Sequence, residues 1–320
     1  QMPLSTEFIA GGGPIIPGPV WPYVFITIAC GAISGFHALI SSGITPKLLE
    51  RESEARMVGY GSMLVEGFVA LMALVAATTL IPADYFAINT SPAVFAKLNM
   101  TVDKLPELSK LVGIDVAGRT GGAVSLAVGM ANIFSSVPGL ARMMNYWYQF
   151  LIMFEALFIL TTIDAGTRVG RYILQDILGN VYAPFKETNW LPGSIFASAA
   201  VSCAWGYMVY TGDVPSVWPL FGTANQLLAV LALCIGTTII LKIAPQKKYS
   251  LVTLLPMVLL AVTVITAAAA NVRMYLNTGK MLNAGLSIIF IALVVVIILD
   301  NVRLWLQLFK TGKPVGMKLD

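Results

Sequence analysis

The stretch Ala284-Gly-Leu-Ser-Ile-Ile-Phe-Ile-Ala-Leu-Val-Val-Val-Ile-Ile-Leu299 decides the fold class, because the first charged side chain after it is Asp300. Only 11% of the 320 residues are charged and 57% are hydrophobic. An ordinary soluble domain carries roughly 25% charged residues, so a soluble chain of this composition could not cover its surface with polar groups. The sequence therefore predicts an all-α, polytopic membrane helix bundle.

Other apolar runs also reach the length of about 20 residues that a membrane-crossing helix needs. The seven predicted spans are Val20–Ser42, Gly59–Pro82, Asn145–Ile163, Leu191–Tyr210, Trp218–Ile243, Leu251–Ala270 and Ala284–Trp305. The run Thr120–Val137 is richer in Gly, Ala and Ser, and whether it spans is judged from the positive charges of the loops.

If Thr120–Val137 does not span, almost all Lys and Arg of the short loops fall on one side. That side holds Lys47, Arg51, Arg56, Arg168, Arg171, Lys186, Lys242, Lys247, Lys248, Arg303, Lys310, Lys313 and Lys318. The opposite short loops hold only Arg273 and Lys280. Since cytoplasmic loops are enriched in Lys and Arg, we predict an external N-terminus and a cytoplasmic C-terminus; the inner (plasma) membrane as the location is what the family resemblance described below implies. Thr120–Val137 as an eighth span gives a less even separation of charge.

This topology divides the chain into regions. Residues 1–19 are predicted to form a Gly/Pro-rich external loop, and the start at Gln1 suggests a fragment or a processed product. Residues 83–144 would form an external cap that can dip into the membrane. Two charged segments, Thr45–Met57 and Ala165–Leu178, are each expected to form a short amphipathic cytoplasmic helix.

Polar residues at membrane depth are costly, so each is a candidate functional residue. His37 is the only histidine and lies among small residues, with Ser34 on the same helical face and with Gly31 and Gly35 before it. Glycines permit an unwound helix whose backbone groups bind substrate in many transporters, and an imidazole can carry a proton. A structural histidine at a helix end is an equal alternative.

Two carboxylates are candidates for proton coupling. Glu66 lies near one end of its predicted span, and Glu155 lies about midway along Asn145–Ile163. Desolvation disfavours an anion at that depth, so Glu155 would be protonated or paired with a neighbouring helix, and both readings stay open.

A group of oxygen-bearing side chains is predicted to close the third span. Thr161, Thr162 and Asp164 could coordinate a monovalent cation at a helix end, or Asp164 could simply pair with Arg168 four residues on. Asn225 and Gln226 follow a predicted helix interruption at Trp218–Gly222, and their amides would need partners inside the bundle.

Other function classes are disfavoured by what the sequence lacks. No basic cluster indicates nucleic acid, and Cys30, Cys203 and Cys234 have no metal-ligand spacing. There is no phosphate loop, zinc-binding histidine pair or nucleophile elbow. We therefore expect no enzymatic activity and no cofactor other than H⁺ or Na⁺ as a coupling ion.

Several motifs resemble the carbon starvation protein A family. They are Ile33–Lys47, Gly59–Glu66, Arg119–Ala123, Phe154–Arg168, Leu174–Gly179 and Trp218–Ala229. The resemblance covers residues 25–245 and is specific in combination. The chain departs from the family pattern at Ile44, where Thr is usual, and at Asn132, where His is expected.

The resemblance implies an uptake transporter with an APC/LeuT-type inverted-repeat core. Val20–Ser42 would be its discontinuous sixth helix, and Gly59–Pro82 and Asn145–Ile163 the seventh and eighth. Residues 20–243 would form the second half of the core, and residues 244–320 additional C-terminal helices and a cytoplasmic tail. Family members are about twice as long, so the partner of this half would be a missing N-terminal half.

The sequence and the resemblance together predict part of a proton-coupled transporter for a small carboxylate such as pyruvate. Its site residues would be Gly31, Ser34, Gly35, His37 and Asn225 for substrate, His37, Glu66 and Glu155 for protons, and Thr161, Thr162 and Asp164 for a cation or gate. A peptide transporter of the same family is the first alternative. A starvation sensor or scaffold that does not transport is the second, and a channel is the third.

Overall fold

The computed structural model describes the chain apart from residues 1, 4, 5, 12, 16, 17, 141, 142, 212, 213 and 312–320. All secondary-structure elements in the described part are α, 3-10 or π helices, and no strand occurs there, which confirms the all-α prediction. The predicted cytoplasmic tail, with Lys313 and Lys318, lies outside the described residues. Part of the predicted loop at residues 1–19 also lies outside them.

The described α-helices are α1 (Phe25–Ala32), α2 (Gly35–Gly43), α3 (Thr45–Leu48), α4 (Ser62–Thr78), α5 (Pro82–Asn89), α6 (Pro92–Phe95), α7 (Leu105–Val112), α8 (Ala123–Ser135), α9 (Met144–Gly179), α10 (Leu191–Thr211), α11 (Val214–Ile243), α12 (Leu251–Asn277) and α13 (Met281–Thr311). Short 3-10 or π turns precede or connect several of them, including Val20–Val24 before α1 and Met57–Gly61 before α4.

Among the described residues, six helical segments are long and apolar enough to cross a membrane. They are Val20–Leu48, Glu52–Thr78, Met144–Gly179, Pro219–Ile243, Lys247–Asn277 and Met281–Phe309. The protein is therefore a multi-pass membrane protein. The remaining predicted span coincides with α10, which has 21 residues but a less apolar composition, so its crossing stays a prediction.

Thr120–Val137 contains a helix too short to cross. Helix α8 has 13 residues, which at about 1.5 Å per residue gives about 20 Å, whereas the hydrocarbon core of a bilayer is about 30 Å thick. The length of α8 therefore agrees with the prediction that Thr120–Val137 does not cross the membrane.

The first compact unit comprises Gln1–Gly18 and Leu48–Arg168. Its core is built from α5, α7, α8 and the start of α9, with Ile88, Val112 and Val128 fully buried. Helices α4 and α8 come so close that a Cβ atom at Gly129 would overlap with the Ala76 carbonyl. The region predicted as a cap thus has its own hydrophobic core, while its external location stays a prediction.

The second compact unit comprises Pro19–Lys47 and Val169–Asp320. Its core lies between α11, α12 and α13, where Val230, Leu260 and Val294 are fully buried. Helix α11 also packs against α1 and α2. This central position of α11 places its polar residues next to several other helices.

Two contacts in the second unit join loops that the charge pattern assigns to one side. Lys47 and Arg171 both lie on the ring of Tyr172. The Lys247 ammonium group donates to the carbonyls of Leu308 and Phe309, at 2.9 and 3.3 Å. Each pair of positively charged segments therefore lies together at one end of its helices, as their grouping by charge predicts.

The prediction of a short helix over Thr45–Met57 is wrong. Helix α3 ends at Leu48, Arg51 is extended with φ −136° and ψ 141°, and helical structure resumes only at Glu52, in the segment Glu52–Thr78 that contains α4. Like charges four residues apart destabilise a helix, and Glu50 and Glu54 would be such a pair.

The sequence predicts a third span that ends at Ile163 and a separate helix over Ala165–Leu178. This prediction is also wrong, because α9 runs without a break from Met144 to Gly179. Packing explains why its glycines do not end it. A Cβ atom at Gly170 would lie 2.9 Å from a methyl group of Val201, so Gly170 allows α9 to approach α10. Thr161, Thr162 and Asp164 consequently lie inside a helix and not at its end.

The predicted interruption at Trp218–Gly222 is absent, because α11 is helical from Val214 to Ile243 with Pro219 inside it. Proline removes one backbone donor from a helix, and here it is the sixth residue, near the helix start. The carbonyl of Pro219 also accepts from the side chains of Thr223, at 2.8 Å, and Asn271, at 3.3 Å.

Candidate substrate site at a broken helix

The predicted span Val20–Ser42 is broken between α1 and α2, as the resemblance implied. Ile33 has φ −140° and ψ 79°, and Ser34 has φ −87° and ψ 128°, so neither is helical. A break of this kind leaves the last carbonyls of α1 and the first amides of α2 without intrahelical partners.

Ser34 is the N-cap residue of α2, the second half of the broken helix. Its hydroxyl oxygen accepts from the His37 amide at 3.4 Å, and its carbonyl accepts from the Ala38 amide at 3.2 Å. Serine is a preferred residue at this position because its side chain replaces a missing acceptor. The sequence Ile33-Ser-Gly therefore encodes the break locally.

Asn225 on α11 bridges the break from the opposite side. Its Oδ1 accepts from the Phe36 amide at 2.7 Å and lies 3.3 Å from the Ser34 hydroxyl. Its Nδ2 donates to the Cys30 sulfur at 3.0 Å. Since Asn225 is only 4% exposed, this carboxamide is a buried link between α1, α2 and α11.

Gly35 makes this contact possible. A Cβ atom at Gly35 would overlap with the Asn225 carbonyl oxygen and the Leu228 Cβ, and would lie 2.7 Å from the Ala229 amide nitrogen. The start of α2 is therefore pressed directly against the backbone of α11, and any larger residue would separate the two helices.

An apolar groove continues from this contact along α2 and α11. It has a volume of about 330 Å³ and begins at Gly35, with Ala38, Leu39, Leu231 and Ile235 among its lining residues. Its walls are mostly apolar, with Ser41 and Ser42 as the polar lining residues, and a mostly apolar groove with a few polar groups is a common arrangement in sites for small molecules.

Of the five predicted substrate residues, the structure brings Ser34, Gly35 and Asn225 together. His37 contributes its backbone amide to the cap, while its side chain is exposed and lies 6.3 Å, ring to ring, from Phe36. Gly31 is exposed, and a side chain there would meet open space. Gly31 is thus not part of the constellation.

The predicted coupling residues other than His37 lie in the first unit. Glu66 is exposed on α4, and Glu155 is partly buried on α9. Among the described residues, no hydrogen bond or ion pair engages Glu155. Its role in proton coupling stays a prediction.

The oxygen-bearing residues of α9 already have partners. The hydroxyls of Thr161 and Thr162 donate to the Phe158 carbonyl at 2.8 and 3.4 Å. Asp164 pairs with Arg168 at 3.0 Å, which is the ion pair weighed as the alternative. Each hydroxyl keeps lone pairs, so a cation or gating role stays a prediction.

The sequence reasoning named Gln226 but not Thr223 and Asn271, two further buried polar residues of α11 and α12. Thr223, Gln226 and Asn271 are all fully buried. The Asn271 Nδ2 donates to the Thr223 hydroxyl at 3.1 Å, but Asn271 Oδ1 and both polar atoms of Gln226 have no partner among the described residues. Asn271 was detectable as a polar residue in an apolar span; its pairing with Thr223 was not.

In the part of the chain that the structure describes, no three His, Cys, Asp or Glu side chains form a group that could hold a metal ion. The donors at the broken helix are backbone amides, a hydroxyl and a carboxamide. Such neutral donors suit an anionic or polar organic group.

A family model described as carbon starvation protein CstA matches residues 1–267, a longer region than the motifs indicated. A Bacillus subtilis (strain 168) protein named Peptide transporter CstA is 55% identical over 313 residues, covering 96% of this chain and 52% of that protein. The Escherichia coli (strain K12) Pyruvate/proton symporter BtsT is 38% identical, covering 98% of this chain and 54% of the symporter. The chain thus spans about half the length of these curated relatives. No solved structure matches.

Proposed function

Because the chain belongs to the carbon starvation protein CstA family, we propose that it forms part of a secondary active transporter that takes up a small carboxylate, pyruvate, together with protons. The names of its relatives support transport, and one of them is named a pyruvate/proton symporter. The transported substrate and the coupling ion are part of this proposal.

The observation that carries the proposal is the Phe36 amide at the start of α2, held by the Asn225 carboxamide. The N-terminus of a helix favours negative charge, because its amides are unpaired and its dipole is positive there. A neutral carboxamide is a weaker acceptor than a carboxylate. A substrate carboxylate would therefore replace Asn225 Oδ1 and bind the Phe36 amide and the Ser34 hydroxyl.

Alternating access would follow when a substrate carboxylate replaces Asn225 Oδ1 at the start of α2. With Asn225 bound to the break, α2 and α11 are held together at Gly35. When a carboxylate takes the place of Asn225, that link opens while the substrate's apolar part occupies the groove between the two helices. The two arrangements would differ in the contact between α2 and α11.

For the whole transporter we propose the inverted-repeat core that the resemblance implied. In it, α1 and α2 form the discontinuous sixth helix, α4 the seventh and the first part of α9 the eighth. Almost none of the apolar surface of α4 and α9 is buried within this chain, which leaves it available to lipid and to a preceding half of the transporter. Residues 83–144 would form the external cap, and α12 and α13 the added C-terminal helices.

Glu155 is the carboxylate that we propose for proton coupling, with His37 and Glu66 as further candidates. Glu155 is partly buried in an apolar helix, whereas Glu66 and His37 are exposed, and an ionisable side chain at membrane depth is a functional-site candidate. Thr161, Thr162 and Asp164 would then form a gate or an ion site. We propose the inner membrane as the location, a cytoplasmic C-terminus and no enzymatic role.

The test is uptake of labelled pyruvate into proteoliposomes. They would carry a chimera in which this chain replaces its matching region in the Bacillus subtilis relative, a replacement that 55% identity makes feasible. We expect uptake that requires an inward proton gradient. No uptake in sealed vesicles with or without the gradient would contradict the proposal.

The substitution Asn225→Asp tests the site itself. It places a carboxyl group against the start of α2, so it should occupy the Phe36 amide and abolish pyruvate uptake in a chimera that still elutes as a folded protein in size-exclusion chromatography. Asn277→Asp, the same chemical change at an exposed position, is the matched control. Normal uptake by the Asn225→Asp chimera would contradict the site.

Peptide uptake is the second candidate, because the relative with 55% identity is named a peptide transporter. A peptide also carries a terminal carboxylate that could bind α2, and the adjacent groove would hold its first side chain. Competition by unlabelled dipeptide or tripeptide against labelled pyruvate separates the candidates. Inhibition together with gradient-driven uptake of labelled peptide would favour peptides.

A further inference from the structure

A groove with a volume of about 400 Å³ lies beside the contact between α11 and α13. Its lining residues include Leu231 of α11 and Val296, Leu299, Asp300 and Arg303 of α13. The four α13 residues recur at three- or four-residue spacing, so they share one face of that helix. This α11–α13 groove meets the candidate substrate groove only at Leu231.

Helices α11 and α13 run in the same direction, which fixes the two ends of the groove. The Trp305 indole of α13 donates to the Thr238 hydroxyl of α11 at 2.8 Å. Further along both segments, the Lys247 ammonium group donates to the Leu308 carbonyl at 2.9 Å. Residues that come earlier in either helix therefore lie farther from this common end.

The apolar lining residues lie deeper in the span than the charged ones. Leu231 precedes Thr238 by seven residues, about 10 Å of helix, and Val296 precedes Asp300 by four, about 6 Å. Asp300 is the first charged residue after the apolar run Ala284–Leu299. The groove therefore has charged groups where the apolar run ends, and apolar walls toward the middle of the bilayer.

These apolar walls are open within the chain. Val296 is 62% exposed and Leu299 is 53% exposed. Both belong to a helix long and apolar enough to cross a membrane, so the surface that they present would contact hydrocarbon. The acyl chain of a lipid is an occupant of matching polarity and depth.

The charged end of the groove carries one acid and one base that do not pair. Among the residues that the structure describes, no ion pair or hydrogen bond engages Asp300 or Arg303, whereas Asp164 and Arg168 on α9 pair at 3.0 Å. Charged groups near membrane depth are costly when they have no partner. A ligand with a cation for Asp300 and an anion for Arg303 would satisfy both.

A phosphoethanolamine group has these two charges. Its ammonium group, like that of lysine, has three N–H donors for a carboxylate, and its phosphate oxygens match the planar guanidinium group of Arg303. A phosphocholine group has no N–H to donate to Asp300. A phosphoglycerol group has no positive charge and would leave Asp300 beside an anion.

We propose that the α11–α13 groove binds phosphatidylethanolamine. The ammonium group binds Asp300, the phosphate binds Arg303, and an acyl chain lies along Leu231 and Val296. This site is separate from the broken helix and does not depend on the transported substrate.

Native mass spectrometry of the purified chain tests the proposal by titration with phosphatidylethanolamine, phosphatidylcholine and phosphatidylglycerol. We expect phosphatidylethanolamine to bind most tightly. Asp300→Asn should weaken phosphatidylethanolamine binding about five-fold, as for the loss of one exposed ion pair, without weakening phosphatidylglycerol binding. Arg303→Gln should weaken the binding of all three lipids. Asp176→Asn and Arg273→Gln, at exposed positions on α9 and α12, are the matched controls and should change nothing.

Three results would overturn the proposal. The first is equal affinity of the unmodified chain for phosphatidylethanolamine and phosphatidylcholine, which would exclude an ammonium donor at Asp300. The second is unchanged phosphatidylethanolamine affinity in Asp300→Asn, whose exposed position makes misfolding no explanation. The third is tight binding by the chain but not by the Bacillus subtilis chimera, which would mean that the other half of the transporter covers the groove.

Discussion

At the scale of single residues, the candidate site depends on two positions that the sequence presents very differently. Gly35 stands in a conspicuous Ser-Gly pair at a predicted break, and its role is to let two backbones touch. Asn225 stands in an apolar run with no local signal of its partners, which lie 189 to 195 residues away along the chain. Sequence reasoning named both residues but could not pair them.

Gly35→Ala should destabilise the second unit by about 1–3 kcal/mol, because the added methyl group must push α2 from α11. Unfolding in SDS titrations of the purified chain measures this change. Gly31→Ala is the matched control: its methyl group meets open space within a helix, so stability should rise by about 0.5–1 kcal/mol. Equal effects at both glycines would argue against the close contact.

Gln226→Met should leave the stability of the chain unchanged or higher by about 1 kcal/mol, because it removes two buried polar atoms that have no partner among the described residues. The same SDS titration applies. Asn225→Leu is the comparison and should lower stability, since it leaves the Phe36 amide without its acceptor. Marked destabilisation by Gln226→Met would mean that the Gln226 amide is satisfied in the membrane.

At the scale of elements, helix type was predictable from apolar length, whereas helix ends were not. Helix α9 passes through Gly170 because α10 packs on it, and α11 passes through Pro219, which lies near the start of that helix. The helix predicted over Thr45–Met57 is interrupted because this segment has many charges and lacks packing partners that would hold it helical. Tertiary contacts thus override local propensity at these ends.

Within the first unit, a single carboxylate positions the start of α7. Asp84 is 1% exposed, and its two oxygens accept from the amides of Asp103 and Lys104 at 3.0 Å each. Asp84→Asn should destabilise this region by about 1–3 kcal/mol, because the new amide group cannot accept from one of them. Faster cleavage near residues 96–104 in limited proteolysis would report it.

Asp115→Asn serves as the control for that experiment, since Asp115 is exposed and accepts only from the nearby Ala117 amide. Its proteolysis pattern should match that of the unmodified chain. If Asp84→Asn also left the pattern unchanged, the carboxylate would not be what orders the chain before α7.

At the scale of the whole molecule, the distribution of Lys and Arg predicts how the chain is oriented in the membrane. The contact of Lys247 with the end of α13, and the shared ring of Lys47 and Arg171, agree with the predicted grouping of loops. The turn between α12 and α13, which contains Lys280, is predicted to lie on the opposite, external side.

Single cysteines at these positions test the orientation. In a chain whose Cys30, Cys203 and Cys234 are replaced by Ser or Ala, Lys280→Cys should react with a membrane-impermeant maleimide in intact cells. Lys47→Cys and Lys248→Cys should react only after the membrane is permeabilised, because positively charged loops stay in the cytoplasm. Labelling of Lys248→Cys in intact cells would reverse the proposed topology.

The sequence by itself determined that this is a helical multi-pass membrane protein, because apolar length is a local property that the bilayer requires. Its glycines permit the break in the first span and Ser34 caps the new helix start, but the expectation of a discontinuous helix came from the family resemblance. Only the tertiary structure decided that Asn225 closes this break, that α9 is one helix, and that Lys47 meets Arg171. These depend on contacts between residues far apart in the chain, and no local pattern records which side chains the packing of helices will bring together.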